Sequence, residues 1–181
     1  MKSIKIVLLT ALVFCLASFS RAIAADDANT IILETKSGQV VIELLPNKAP
    51  GHVERITTLA NQGFYDGLNF HRVIDGFMAQ TGDPLGNGTG SSNLPDLKAE
   101  FNDESFTRGA VGMARAQNPD SANSQFFIMF AEAPHLNGAY TVFGHVKNGM
   151  EHVDAIKRGN GPNGMVSNPD KIVKMRTADK F

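Results

Sequence analysis

Apolar and polar positions alternate in short runs along most of this chain, and glycine, proline and asparagine separate the runs. Thr30 to Thr35 and Gln39 to Leu45 are alternating, β-branched runs around Lys36-Ser37-Gly38, a pattern that predicts a hairpin ended by Pro46. Pro50 then stands where a first helical turn tolerates proline. Val53, Ile56, Leu59 and Ala60 follow at helical spacing up to Gly63. The apolar stripe of this helix is narrow, so the helix should lie on a surface and cover it. Phe70, Arg72 and Ile74 alternate as a strand, and Phe77 to Gly82 reads as a second after the break at Asp75-Gly76. Ala110 to Ala114 predicts another strand. Gln125 to Phe130 is too apolar to face water on either side and should be buried on much of both faces. The turn Leu136-Asn137-Gly138 leads to a strand at Tyr140 to Gly144. Met150, Val153 and Ile156 make a second short helix, with Lys157 and Arg158 in its last turn and Gly159 just beyond. Lys171 to Arg176 is the last strand.

About eight strands and two helices in one domain suit an all-β fold, a closed antiparallel barrel with helices over its openings. An open α+β sandwich fits the periodicity nearly as well. The loop Gly86 to Pro95 superficially resembles a phosphate cradle through Gly86, Gly88 and Gly90. Ser91 stands where a third dinucleotide-type glycine belongs, no Gly-Lys-Thr follows, and Pro95 opposes a helix start, so a flexible loop is the better reading.

The N-terminus follows a different pattern. Lys2 and Lys5 precede an apolar run, Ile6 to Phe19, and Ala22-Ile23-Ala24 supplies small residues where a signal peptidase reads. The run is too short to span a bilayer comfortably. Phe14 before Cys15 is too bulky for a lipoprotein box, so no lipid anchor is expected. Residues 1–24 are therefore expected to be a cleaved signal peptide, and residues 25–181 one soluble, exported domain. Cleavage removes the only cysteine together with Lys2, Lys5 and Arg21, leaving 14 basic against 18 acidic residues, a net charge of −4. A mildly acidic domain without a Lys/Arg cluster is a poor nucleic-acid binder.

The five histidines belong to no HExxH or cysteine-rich cluster, and Gly-x-Ser-x-Gly does not occur. Asp66, Asp75 and Asp83 lie in turn sequences, where aspartate serves conformation. No nucleophile, acid/base pair, metal or cofactor is expected. What stands out is Arg72, a charge set among the apolar and aromatic residues of FHRVIDGFMAQTGDP. Such a site can hold a small apolar ring while fixed donors touch the polar atoms beside it.

That stretch with GNGTG, followed by GMARA (Gly112 to Ala116), NSQFFI (Asn123 to Ile128) and YTVFGHV (Tyr140 to Val146), resembles the cyclophilin family of peptidyl-prolyl cis–trans isomerases. The resemblance covers nearly the whole expected mature chain. It implies a closed eight-stranded antiparallel barrel with a helix at each end and the site on the outer wall. It implies that Arg72 donates hydrogen bonds toward the prolyl amide and that Phe77, Met78, Phe127 and Leu136 hold the proline ring. Gln80, Gln125 and the backbone around Ala114 and Arg115 would hold the peptide, with His71 and Tyr140 at the pocket wall.

Two positions depart from the eukaryotic pattern. Arg115 replaces an asparagine, and His135 occupies the place of the tryptophan that marks cyclosporin-sensitive members, so weak cyclosporin binding is expected. Both departures look like the bacterial exported branch and point to a monomer in the periplasm acting on proline-containing peptides and unfolded exported proteins. A proline-peptide binding module or holdase without turnover, and an adhesion factor using the same surface, are the rival readings.

Overall fold

The computed structural model describes residues 27–181, and the expected signal peptide lies outside them. Two expected bounds shift: the strand begun near Tyr140 runs to Asn148, and the second helix ends at Asp154, leaving Lys157 and Arg158 beyond its last turn. Alternation becomes burial directly. In β1 (Thr30–Thr35), Ile31 and Leu33 point inward; in β2 (Gly38–Leu44), Val40, Ile42 and Leu44 do. The two pair antiparallel from Thr30 opposite Glu43 to Thr35 opposite Gly38, the expected hairpin. β3 (Arg72–Ile74), β4 (Met78–Thr81), β5 (Ala110–Met113), β6 (Phe126–Met129), β7 (Val142–Asn148) and β8 (Ile172–Thr177) complete one antiparallel sheet in the order β3-β4-β6-β5-β7-β2-β1-β8.

The sheet curls strongly but stays open, which corrects the expected closed barrel. The reason lies at the free edge of β3. Gly159–Val166 occupies it: the Val73 amide donates to the Gly164 carbonyl (2.7 Å), Gly159 donates to Val73 (2.9 Å), and Val166 donates to His71 (3.0 Å). β8 therefore never ladders with β3. The seam is joined instead where the chain enters the two strands, by the Asn69–Lys171 bridge, by bonds from Phe70 to Asp170 and from Ile172 to Leu68, each 2.9 Å, and by a bond from Gly67 to Ile172 at 2.8 Å.

The run through β6 is buried on both faces, as its composition predicts. Phe126 and Ile128 enter the main core inside the curl, with Ile31, Leu33, Ile42, Val111 and Met113. Phe127 and Met129 turn the other way into a second apolar cluster with Met78, Phe106, Ala110, Leu136 and Val142. That second cluster is the floor of the site.

Helix α1 (Pro50–Asn61) begins with Pro50 in its first turn and covers the main core with Val53, Ile56, Leu59 and Ala60. No side chain beside its start caps it. The Glu100 carboxylate does so from across the fold, accepting from the Gly51 and His52 amides at 3.0 and 3.1 Å, where negative charge also suits the helix dipole. α2 (Met150–Asp154) seats Val153 and, just beyond its end, Ile156. Among the described residues no helix is long and apolar enough to cross a membrane, and no cluster of three His, Cys, Asp or Glu could hold a metal.

Candidate active site

Arg72 lies on β3 directly opposite Gln80 on β4, and Gln80 opposes Phe127 on β6. Directly opposed residues project to the same face of a sheet. Three adjacent strands thus bring a cation, an amide and an aromatic ring together above the second apolar cluster. They line a cavity of about 460 Å³ with His71, Phe77, Met78, Ala114, Arg115, Leu136 and Tyr140. The size, and a wall in which the apolar groups Phe77, Met78, Phe127, Leu136 and Met165 face convergent polar ones, suit a small ligand ring beside a polar amide.

The guanidinium is fixed from two sides. Nε donates to the Asn163 carbonyl at 3.0 Å and Nη1 to Gln80 Oε1 at 3.1 Å. Of its five N–H bonds the remainder have no protein acceptor among the described residues. Gln80 passes the order on, because its Nε2 donates to Gln125 Oε1 at 2.9 Å. Gln125 Nε2 in turn donates to the Gly88 and Gly90 carbonyls at 3.2 and 2.8 Å. One directional chain of donors and acceptors therefore runs from Arg72 to the 86–90 loop.

That loop, expected to be flexible, is held by a carboxylate instead. Asp83 is only 1% exposed and accepts from the amides of Leu85, Asn87 and Gly88 at 2.8, 3.0 and 2.5 Å. Burial alone would raise its pKa, but these donors outweigh it and hold the carboxyl below its usual range. Gly90 is required for the fit, since a Cβ there would sit 2.0 Å from Asp83 Oδ1. Further along, Asn123 accepts from Ser92 and donates to Leu94 and Asp96, fastening the rest of the segment.

On the opposite wall the aromatic rings support one another. Phe127 stacks on Phe106 at 5.6 Å and meets the edge of Tyr140 at 6.0 Å. The Arg115 guanidinium lies 4.4 Å over the Tyr140 ring and donates to the carbonyls of Ala116, Gln117 and Ala139. Gly112 makes room for this packing, because a Cβ there would come within 2.6 Å of both Phe106 and Phe127.

His71 is buried beneath the site at 1% exposure, and neither ring nitrogen makes a hydrogen bond of good geometry among the described residues. Burial pushes its pKa down, against the pull of the nearby Asp83 charge, so the ring is neutral near pH 7. It lines the cavity as a neutral ring.

Two expected residues stand apart from the cavity. Gln125 lines a neighbouring groove of about 420 Å³ with Ser91, Asp96 and Asn123, and touches the cavity through its hydrogen bonds to Gln80 and to the Gly88 carbonyl. His135 is exposed and stacks on the outer side of Phe77, with ring centroids 5.8 Å apart and planes at 26°. Four lining residues escaped the sequence reading: Asn87, Gly88, Asn163 and Met165. The last two sit in a run of glycine, asparagine and proline that carries no periodic signal.

The comparisons with known proteins agree with this geometry. The family model described as cyclophilin type peptidyl-prolyl cis-trans isomerase/CLD matches residues 30–178. The chain is 58% identical over 165 residues to a probable peptidyl-prolyl cis-trans isomerase of Brucella suis, covering 84% of each. It is 46% identical over 122 residues to peptidyl-prolyl cis-trans isomerase B of Bacillus subtilis, covering 67% of this chain and 85% of that one. A crystal structure of a Cryptosporidium parvum cyclophilin type isomerase, determined in the presence of the dipeptide Ala-Pro, matches with a TM-score of 0.76 at 27% identity. The match covers 82% of this chain and 98% of that one.

Proposed function

The chain belongs to the cyclophilin-type peptidyl-prolyl cis–trans isomerases, and from that membership we propose that it turns over X–Pro bonds in exported proteins through Arg72. Rotation about a prolyl amide meets a barrier of about 18–20 kcal/mol, because the C–N bond has partial double-bond character. Lowering it means disfavouring resonance, and no bond need be made or broken. The proline ring enters the apolar cavity against Phe77, Met78, Phe127 and Leu136. The free N–H bonds of Arg72 meet the amide nitrogen as it pyramidalises and its lone pair localises. An enhancement on the order of 10⁶ corresponds to about 8 kcal/mol. A single preorganised donor supplies about 3–4 kcal/mol of that, and holding the ring and the flanking peptide in place supplies the rest.

The observation that carries the reading is the double anchoring of the Arg72 guanidinium by Asn163 and Gln80 beside a cavity with an apolar floor. A group fixed before the substrate arrives needs no reorganisation in the transition state. The Ala-Pro dipeptide crystallised with the Cryptosporidium relative belongs to the same substrate class. The wild-type protein in catalytic amount should accelerate cis–trans exchange of an Ala-Pro peptide. Binding with no acceleration would favour the holdase reading.

The cellular setting rests on Lys2, Lys5, the apolar run and Ala22-Ile23-Ala24. In this reading residues 1–24 are removed on export, and residues 25–181 work as a periplasmic monomer that accelerates proline-limited folding. Protein recovered from the cell envelope should begin at Ala25; an intact N-terminus or a lipid on Cys15 would contradict it.

A further inference from the structure

The segment Gly159–Val166 is built against the site as closely as the strands are, and its contacts follow from its residues. It lies antiparallel along the free edge of β3, with Met165 bridged directly to Arg72 and also to Asn160. Directly opposed residues have Cβ atoms about 4.5–5.5 Å apart and project to the same face. Met165 therefore stands beside the guanidinium, and both line the cavity.

The neighbouring residue faces the other way. Gly164 has φ of +65°, and a Cβ there would come 2.4 Å from Ile74 Cγ1 and 3.0 Å from the Val73 carbonyl. A Cβ on Gly159 would come 2.0 Å from the Gly164 carbonyl. Glycine at 159 lets the segment close on itself and glycine at 164 lets it approach β3, and this packing delivers the Asn163 carbonyl to Arg72 Nε. Met165 is 43% exposed, a large apolar side chain left open at the rim of a site that binds peptide. Of the large apolar residues exposed on the described chain, it alone lines the cavity.

We propose that Gly159–Val166 is a specificity wall of the active site, with Met165 receiving a large apolar side chain of the substrate residue that flanks the proline. This inference rests on the isomerase reading. The thioether is unbranched and polarisable, so it adapts to leucine, methionine or phenylalanine rather than selecting one shape.

The test compares four peptides by NMR exchange: Leu or Gly before the proline with Gly after it, and Gly before it with Leu or Gly after it. In Met165→Ala the ratio of kcat/KM for the leucine peptide to that for its glycine counterpart should fall roughly three- to tenfold at one of the two positions. Met165→Leu should restore that ratio to near the wild-type value. Val173→Ala, which truncates an apolar side chain exposed to 53% on β8, serves as the control and should leave it unchanged. Unchanged ratios in Met165→Ala, or an equal loss for every peptide, would overturn the proposal while leaving the isomerase reading intact. A wild type that turns over none of the peptides would overturn the isomerase reading itself.

Discussion

Replacing Asp83 with asparagine keeps the size of the side chain and removes one acceptor oxygen with the charge. In the wild type Oδ1 accepts from Leu85, and Oδ2 accepts from both Asn87 and Gly88. An amide can keep its oxygen toward Leu85, which then points an NH₂ group at two backbone N–H donors. Flipped, it meets Leu85 with the same mismatch. Hydrogen bonds to a charged acceptor contribute about 1.5–3 kcal/mol each. Losing one or two of them, partly offset by local relaxation and entering water, should destabilise the domain by about 2–4 kcal/mol. For a domain of this size each kcal/mol moves Tm by about 2–4 °C, so calorimetry should show a fall of roughly 4–16 °C.

Function should fall through the loop. Gly88 lines the cavity and its carbonyl accepts from Gln125, so loosening it should raise KM for an Ala-Pro peptide several-fold more than it lowers kcat. The acid limb of stability tests the same contact. The depressed carboxyl contributes stability that is fully present above its unfolded pKa of about 3.9 and is lost as pH falls through its lower folded value. Asp83→Asn should therefore flatten part of the wild type's decline below about pH 4. A variant that melts within 1 °C of wild type, with unchanged KM, would refute the carboxylate's role as organiser of the loop.

Two further outcomes follow from the histidines. His52 and His71 both have pKa values lowered by burial, so their unfolded forms bind protons first as the medium is acidified. Stability should thus be greatest above about pH 6.5 and decline below it, with His71→Asn removing part of that decline in denaturant titrations at pH 7 and pH 5. A slope between those pH values that is the same in variant and wild type would count against the buried neutral ring. Outside the cavity, His135→Trp enlarges the ring stacked on Phe77. It should tighten cyclosporin binding at least about tenfold, through added apolar burial and an indole donor, while kcat/KM changes by no more than about threefold. Nanomolar binding by the wild type, measured by calorimetry, would rule out this assignment of His135.

Where burial follows a period, the sequence exposed it. Alternation located most strands within a residue or two, although the strand expected to end at Gly144 runs on to Asn148, and the doubly apolar Gln125 to Phe130 run foretold burial on both faces of β6. Arg72 could be singled out because a charge among aromatics is costly without a purpose. The contacts that were illegible join polar residues far apart in the chain. Glu100 caps a helix that starts 50 residues earlier, and no residue beside Ala49 advertises the cap. Asp83 read as a turn residue, and Asn123 only as the first residue of a motif, because one side chain's partners cannot be inferred from its type. The open seam was hidden for the same reason. Counting strands gives eight, but which edge β3 presents depends on Gly159–Val166, whose glycines look like an ordinary turn until their close approach is seen.

The role of Arg72 is tested most directly by the turnover of an Ala-Pro peptide by the wild type, Arg72→Ala and Arg72→Lys. The side chain is only partly buried, on a three-residue edge strand, so both variants should fold with melting curves close to wild type. Lysine retains the charge but lacks the planar fork that reaches Asn163 and Gln80 while keeping N–H bonds free. Arg72→Ala should lower kcat/KM by roughly 10²–10³, or about 2.7–4 kcal/mol of transition-state stabilisation. Arg72→Lys should recover only a small part of the loss. A folded Arg72→Ala protein that isomerises the peptide at the wild-type rate would contradict the account.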